Sequence, residues 1–203
     1  MPLNAPKAST SLAILASGTG SNAAAIAEYF KGHNFVSIAG IWTNRPEAGI
    51  KKREINAPIH GFLPEKDETR VLAEWKKLGV EAVALAGYLK KVPLAWIEAF
   101  PGRMFNIHPA LLPKFGGKGM YGLHIHRAAL TSGEAFSGLT IHEVSKEYDE
   151  GTISFQCRVP VEERDTPETL QARILKAEHW AYPRVLEAQL CQTPMPNPLS
   201  CPK

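Results

Sequence analysis

The chain has 203 residues, of which 44% are hydrophobic and 21% charged, close to the averages of ordinary globular domains. A net charge of +3 is too small to indicate binding to nucleic acid, and no apolar run approaches the roughly 20 residues of a membrane-spanning helix. The three cysteines include no CxxC pair, which argues against a disulfide framework or a structural zinc site and makes the reducing cytoplasm the expected location.

Strand-like and helix-like segments alternate through the first half of the chain. This alternation predicts βαβ units, so the expected fold class is α/β, a doubly wound and mostly parallel central sheet with helices on both faces. The predicted strands are Leu12–Ser17, Phe35–Trp42, Ala57–Phe62, Glu81–Ala86 and Arg103–His108, and the predicted helices are Asn22–Lys31, Glu68–Leu78 and Pro93–Ala99.

Three segments that directly follow predicted strands are expected to lie together. They are Gly18–Asn22, Gly87–Lys91 and Asn106–Pro109. In a doubly wound sheet, ligands bind beyond the carboxyl ends of the parallel strands. We therefore expect these segments to form one rim of the sheet and to carry the binding site.

The second half of the chain has a different pattern. One proline and three glycines within Ala110–Tyr121 indicate an ordered loop over the rim. Prolines from Pro194 onward predict a frayed end, so residues 1–203 are expected to form one domain with an ordered core at about 11–190 and a flexible tail at about 192–203. The remaining elements are predicted helices at Leu123–Leu130 and Thr166–Leu190 and two added antiparallel strands at Gly138–Val144 and Thr152–Val161.

A glycine loop, Ser17-Gly18-Thr19-Gly20-Ser21-Asn22, joins the first strand to the first helix. Glycines let the backbone approach an anion closely, and the start of the helix offers free N–H groups to a phosphate. No lysine follows the loop, which argues against a nucleotide triphosphate. The alternative is a tight turn with Ser21 as the helix N-cap, and both interpretations stay open at this point.

A polar strand end, at Asn106 and His108, is the most informative stretch. Side chains alternate along a strand, so these two point the same way. An amide can donate to a developing oxyanion and an imidazole can transfer a proton near neutral pH. A carboxylate in contact with His108, such as Asp149, would orient the ring and raise its pKa. The alternatives are side chains that satisfy backbone groups, and for Asp149 a turn residue before glycine.

Other polar residues carry weaker signals. His124 and His126 form an H-x-H pair, with His142 downstream, but residues two apart on a helix do not face each other, so no metal site is expected. Cys157 is expected to be a small core residue. Glu178 lies on the last predicted helix, either on a solvated face or directed at the rim.

Six motifs together resemble the glycinamide ribonucleotide formyltransferase family of purine biosynthesis. They occur in family order and cover about residues 12–190. The motif at 106–115 is highly specific for folate-dependent formyl transferases, and the motif at 16–22 narrows the resemblance to this branch. They read A-S-G-T-G-S-N at 16–22, L-A-G-Y-L at 85–89, N-I-H-P-A-L-L-P-K-F at 106–115, G-L-H-I-H at 122–126, Y-D-E-G at 148–151 and A-E-H-W-A-Y-P at 177–183.

The resemblance implies a Rossmann-like formyltransferase fold and a defined reaction. The formyl group of 10-formyltetrahydrofolate, the co-substrate, would pass to the amine of 5′-phosphoribosylglycinamide in de novo purine synthesis. It implies small-molecule partners, a monomer or homodimer, and no metal, nucleic acid or membrane. The implied roles are Asn106, His108 and Asp149 in catalysis, Gly20, Ser21 and Asn22 on the phosphate, Glu178 on the ribose, and Tyr88, Leu89, Lys90, Lys91, Val92, Asn106 and Val144 on the folate.

The sequence departs from the family pattern at two places near the predicted rim, and three alternative functions have to be considered. The loop Phe115–Tyr121 is longer than usual, and Lys90 with Lys91 replaces a basic–aliphatic pair. A formyltetrahydrofolate hydrolase normally has an N-terminal regulatory domain, and an initiator-tRNA formyltransferase normally has a C-terminal one that binds nucleic acid; the length of this chain argues against both. A non-catalytic phosphate-binding module is the rival from another class.

Overall fold

A seven-stranded sheet forms the centre of the computed structural model, which describes residues 9–45 and 47–202. Its strand order is β3-β2-β1-β4-β5-β6-β7; the first five strands pair in parallel, and β6 and β7 are added antiparallel. The strands are β1 Thr10–Ala16, β2 Val36–Thr43, β3 Ile59–Gly61, β4 Val80–Leu85, β5 Met104–His108, β6 Phe136–Glu143 and β7 Ile153–Pro160. The helices are α1 Ser21–Tyr29, α2 Glu68–Lys77, α3 Leu94–Ala99, α4 Leu123–Thr131 and α5 Pro167–Cys191, with 3-10 turns at Gly49–Lys52 and Pro198–Ser200.

Helices cover both faces of this sheet, as the doubly wound prediction required. Alternate residues of β1 enter two different cores, Ile14 on one face and Leu15 on the other. Ile26 of α1 and Ile174 of α5 pack on the first face, and Trp75 of α2 packs on the second. The α/β fold class is therefore confirmed, including the antiparallel strands of the second half.

The long helix α5 is fixed at both its start and its middle. Thr166 and Thr169 form a reciprocal capping box, and Pro167 occupies the first helical position, where a missing N–H costs nothing. The hydroxyl of Tyr182 lies 3.1 Å from the carbonyl oxygen of Leu85 and 2.9 Å from that of Phe105. These contacts hold α5 against β4 and β5 and so place Glu178 near the rim.

The end of the chain contacts the core through one buried residue, and the flexible tail at about 192–203 stays a prediction. Cys201 is buried and forms a disulfide with Cys157 of β7, 44 residues earlier. Both sulfur-bearing residues belong to the core on the α5 face, so burial of the cysteines holds the tail against the sheet. Cys157 is the core residue that was predicted, but its partner could not be identified from spacing.

Parts of the single-domain prediction fall on residues 1–8, Pro46 and Lys203, which lie outside the described residues. Among the described residues, no helix has the length and apolar character needed to cross a bilayer.

Candidate active site

A cavity of about 490 Å³ lies at the carboxyl ends of the parallel strands, and we call it the rim cavity. Residues from all three segments expected at the rim line this cavity, although Asn22 is the single lining residue from the glycine loop. A larger cavity of about 670 Å³, behind the loop at 111–115, is lined by none of the predicted site residues. The rim cavity is lined by residues 85, 87–92, 106–109, 117–122, 125, 142 and 144–149 together with Asn22 and Glu178.

The three residues predicted to act together meet at the wall of the rim cavity. Nδ1 of His108 lies 3.5 Å from Oδ2 of Asp149, and the amide nitrogen of Asn106 lies 3.5 Å from Oδ1 of the same carboxylate. His108 is buried with 4% of its surface exposed. Because Asp149 arrives from the turn between β6 and β7, this contact depends on the antiparallel half of the sheet.

His142 is a fourth member of the cluster that sequence reasoning missed. Its Nε2 lies 3.1 Å from the amide nitrogen of Asn106 and 3.5 Å from Oδ1 of Asp149. The antiparallel pairing of β5 with β6 places it directly opposite Asn106. The two residues are 36 positions apart in the sequence, and no local pattern indicated that they are in contact.

Backbone carbonyl groups decide which nitrogens of the two histidines carry protons. Nε2 of His108 lies 2.8 Å from the carbonyl oxygen of Phe115, and a carbonyl only accepts, so Nε2 carries a proton. Nδ1, which faces Asp149, is therefore protonated only in the imidazolium form. Nδ1 of His142 likewise donates to the carbonyl of Glu143 at 2.8 Å, which leaves Nε2 to accept from Asn106.

Burial and neighbouring charges shift the pKa values of this cluster. Burial lowers the pKa of His108 below its usual 6.5, although the charge of Asp149 acts in the opposite direction. Asp149 thus raises this pKa, as predicted, but desolvation of the imidazolium is the larger effect and the net pKa is lowered. Burial alone would raise the pKa of Asp149, but the neighbouring imidazoles of His142 and His108 and the N–H of Gly117 lower it below its usual value.

The longer loop at 115–121 forms part of this site. The N–H of Gly117 donates to Oδ2 of Asp149 at 2.9 Å, and the same loop supplies the Phe115 carbonyl that binds His108. A Cβ at Gly116 would lie 2.6 Å from Cδ2 of Leu112 and 3.3 Å from Cβ of Asp149, so a larger residue there would displace the Leu112 side chain. The loop is ordered over the rim, as predicted, and its backbone holds both His108 and Asp149.

The glycine loop leads into α1 without a side-chain cap. Gly20 is the N-cap in the left-handed region at φ +71°, so Ser21 is the first helical residue, and the alternative with Ser21 as N-cap is wrong. The loop is tied down by the hydrogen bond of Ile50 N–H to the Gly18 carbonyl at 3.3 Å. No acidic residue occupies the first turn, so the N–H groups there are open to an anion.

Glu178 lies at the other side of the rim cavity and is buried, which excludes the solvated-face alternative. Its Oε2 accepts a hydrogen bond of 2.8 Å from the side-chain amide of Asn22. Burial raises the pKa of Glu178 to about 7, and the hydrogen bond from Asn22 lowers it only in part. This carboxyl group therefore changes charge near neutral pH.

Comparison with known proteins decides the family. The formyl transferase family model matches residues 10–186. The chain belongs to the formyl transferase family. It is 44% identical over 190 residues to the chloroplastic phosphoribosylglycinamide formyltransferase of Vigna unguiculata, covering 89% of this chain but 61% of that one. It is 34% identical to phosphoribosylglycinamide formyltransferase of Bacillus subtilis, covering 88% and 93% of the two chains.

A solved structure supports the same family. The phosphoribosylglycinamide formyltransferase of Anaplasma phagocytophilum has a TM-score of 0.82 and 31% identity, covering 91% of this chain and 88% of that one. The chain thus spans most of these bacterial proteins but less than two thirds of the plant relatives, 61% and 65% of the Vigna and Arabidopsis proteins.

No group of three or more His, Cys, Asp or Glu residues suited to a metal ion occurs in this family member within the residues the structure describes. His108, His142 and Asp149 lie together in the site. Both histidines already give ring N–H groups to backbone carbonyls, and the carboxylate accepts from Gly117. That the site needs no metal stays a prediction.

Replacement of Gly20 by alanine is expected to destabilise this formyl transferase domain. A left-handed conformation costs a non-glycine residue about 1–2 kcal/mol, and the new Cβ would also displace the Ile50 side chain. Urea unfolding should show a loss of at least about 1 kcal/mol. Gly18→Ala is the control in the same loop, because nothing lies within 4 Å of its Cβ position. Equal stability of the two variants would contradict the expectation.

Replacement of Glu178 by glutamine is expected to stabilise the domain above pH 7 and to have little effect at pH 4. The folded pKa of about 7 lies above the usual 4.5, so between these values the folded chain keeps a proton that the unfolded chain has released. Glu178 therefore makes stability fall as pH rises through this window, by up to about 3 kcal/mol at 1.4 kcal/mol per pKa unit.

Urea unfolding of Glu178→Gln and wild type at pH 4, 6 and 8 tests this. The exposed Glu163→Gln variant is the control and should change little at any pH. A gain in stability for Glu178→Gln that is the same at all three pH values would show that titration of Glu178 is not the cause.

Proposed function

We propose that this chain transfers the formyl group of 10-formyltetrahydrofolate to the amine of 5′-phosphoribosylglycinamide, giving the N-formyl product and tetrahydrofolate. The observation that carries the proposal is the contact of buried His108 with Asp149 on the wall of the rim cavity. The names of the relatives supply the acceptor and the formyl transfer, the resemblance implies the folate donor, and the geometry supplies residues suited to both substrates. A cytoplasmic location, small-molecule partners only, and a monomer or homodimer stay predictions.

The two substrates would contact two different groups of residues that line the rim cavity. The acceptor would bind near Asn22 and Glu178, with its phosphate on the N–H groups of Gly20, Ser21 and Asn22. A buried carboxyl group such as Glu178 suits ribose hydroxyls, because it can accept their hydrogen bonds away from water. The folate would contact the segment after β4 and the turn after β6, through Tyr88, Leu89, Lys90, Lys91, Val92, Asn106 and Val144.

The proposed chemistry forms one C–N bond and breaks another. The acceptor amine attacks the formyl carbon, and the carbonyl oxygen becomes an oxyanion. Collapse of this adduct breaks the bond to N10 of the folate. One proton leaves the attacking amine and one proton is added to N10, so the reaction needs no net acid or base.

His108 would carry that proton on Nδ1, the nitrogen that has no proton in the neutral ring. Its lowered pKa leaves it neutral before the reaction, so it can accept the proton that the amine loses and then donate it to N10. Asp149 remains ionised and would stabilise the imidazolium formed between these steps. Positioning of the two substrates supplies the rest of the rate enhancement.

Asn106 would stabilise the oxyanion with its amide. In the resting site both amide hydrogens have acceptors, His142 at 3.1 Å and Asp149 at 3.5 Å. The longer and weaker of these contacts is the one to be exchanged for the oxyanion. His142 would then keep the amide in position.

The decisive experiment supplies both substrates and follows the folate and the acceptor separately. Formation of N-formyl acceptor in equal amount to the folate consumed would establish formyl transfer. Release of formate at the same rate without the amine would instead identify a hydrolase. Binding of both molecules without any turnover would identify a non-catalytic binding module.

A further inference from the structure

Two basic residues near the glycine loop have no role in the proposed reaction. They are Arg53, which directly follows the 3-10 turn Gly49–Lys52, and His179, which follows Glu178 on α5. They come from distant parts of the chain, and each has an unsatisfied binding capacity. Their surroundings indicate what they bind.

Arg53 is attached to the glycine loop itself. Its Nε donates to the carbonyl oxygen of Thr19 at 2.6 Å, which fixes the guanidinium beside the start of α1. The same turn is held to the loop by Ile50, whose N–H binds the Gly18 carbonyl. Among the described residues, no carboxylate pairs with Arg53, so its positive charge is not neutralised there.

His179 has a buried nitrogen without a hydrogen-bond partner. Its Nε2 has almost no exposed surface and finds no donor or acceptor within the described part of the chain. His179 directly follows Glu178, whose carboxylate accepts a hydrogen bond of 2.8 Å from the Asn22 side chain, so this part of α5 lies beside the start of α1. Burial and the charge of Arg53 both lower the pKa of His179. A buried polar atom left unpaired destabilises the folded chain, and a ligand that binds it removes that cost.

The ligand that fits these groups is a phosphate. The uncapped N-terminus of α1 offers N–H donors, Arg53 offers a fixed positive charge, and the ring of His179 offers a nitrogen that can donate to a phosphate oxygen. We propose that Arg53 and His179 bind the phosphate of the acceptor substrate together with the glycine loop. This inference rests on the proposed function, which makes the acceptor a phosphate ester.

Calorimetric titration with ribose 5-phosphate and with ribose tests the proposal without any turnover. Arg53→Met and His179→Gln should each weaken binding of ribose 5-phosphate by about tenfold or more, as expected for loss of a charge-assisted hydrogen bond. Neither change should affect ribose. Lys52→Met is the matched control, since it removes an exposed cation of the adjoining turn and should leave both affinities unchanged.

Steady-state kinetics gives a second measurement. Each variant should raise the KM for phosphoribosylglycinamide by about tenfold and leave kcat nearly unchanged, because the phosphate is remote from the reacting amine. Unchanged affinity for ribose 5-phosphate in Arg53→Met or His179→Gln would remove that residue from the site. Failure of the wild type to bind ribose 5-phosphate would overturn the proposal for both residues.

The two proposals can fail separately. Loss of ribose 5-phosphate binding in both variants of a protein that transfers no formyl group would support the phosphate site and reject the proposed reaction. Normal formyl transfer with unchanged affinity for ribose 5-phosphate in both variants would support the proposed reaction and reject the roles of Arg53 and His179. Arg53 is exposed, so its variant is expected to fold even if a change at partly buried His179 lowers stability.

Discussion

His108→Ala is expected to lower kcat by about 10²–10⁴-fold, the range typical of a positioned acid–base group. The substitution removes the side chain that would carry the proton from the attacking amine to N10 of the folate. The KM values should change little, because the glycine loop and the segment after β4 are untouched. Steady-state assays with both substrates varied measure each effect.

The fold should survive this change. Alanine leaves the carbonyl of Phe115 without its partner, which costs about 1–3 kcal/mol of unfolding free energy and leaves a folded domain. His124→Ala is the control, because that histidine is outside the rim cavity. Turnover near the wild-type value in folded His108→Ala would mean that another group moves the proton.

Asp149→Asn is expected to lower kcat by about 10²–10³-fold and to lower the pKa of His108 further. The substitution keeps the size of the side chain but removes the negative charge that stabilises the imidazolium. The charge of Asp149 raises the pKa of His108, so loss of that charge makes protonation of the His108 ring less favourable. The fraction of imidazolium during turnover falls accordingly.

Nuclear magnetic resonance titration of the His108 ring in wild type and variant measures the pKa directly. Glu150→Gln provides the matched control, because it removes a neighbouring exposed carboxylate that does not line the rim cavity. If kcat of Asp149→Asn falls as expected while the His108 pKa stays unchanged, Asp149 acts only by holding the loop through Gly117.

The course of the sheet was predictable from local patterns. All seven strands were predicted from apolar and β-rich runs, and every predicted end lies within two residues of the observed one. The rim followed from topology alone, since parallel strands bring their carboxyl ends to one edge. Asn106 and His108 could be paired because side chains alternate along a single strand.

Contacts between distant segments could not be predicted in the same way. His142 reaches Asn106 through the antiparallel register of β5 and β6, which no local pattern specifies. The contact of buried Cys201 with Cys157 was not predicted, because a proline-rich segment with one buried residue resembles a polar and mobile segment in sequence. The role of the loop at 115–121 was likewise hidden, since it acts through backbone groups.

The sequence by itself determined the α/β class, the rim, and the pairing of Asn106 with His108, because each depends on periodicity within one element. Only the tertiary structure decided the charge states around that pair. Asp149 was expected to raise the pKa of His108, yet burial of the ring outweighs its charge and leaves the histidine neutral. Desolvation is a property of everything packed around a group, and no short stretch of sequence records it.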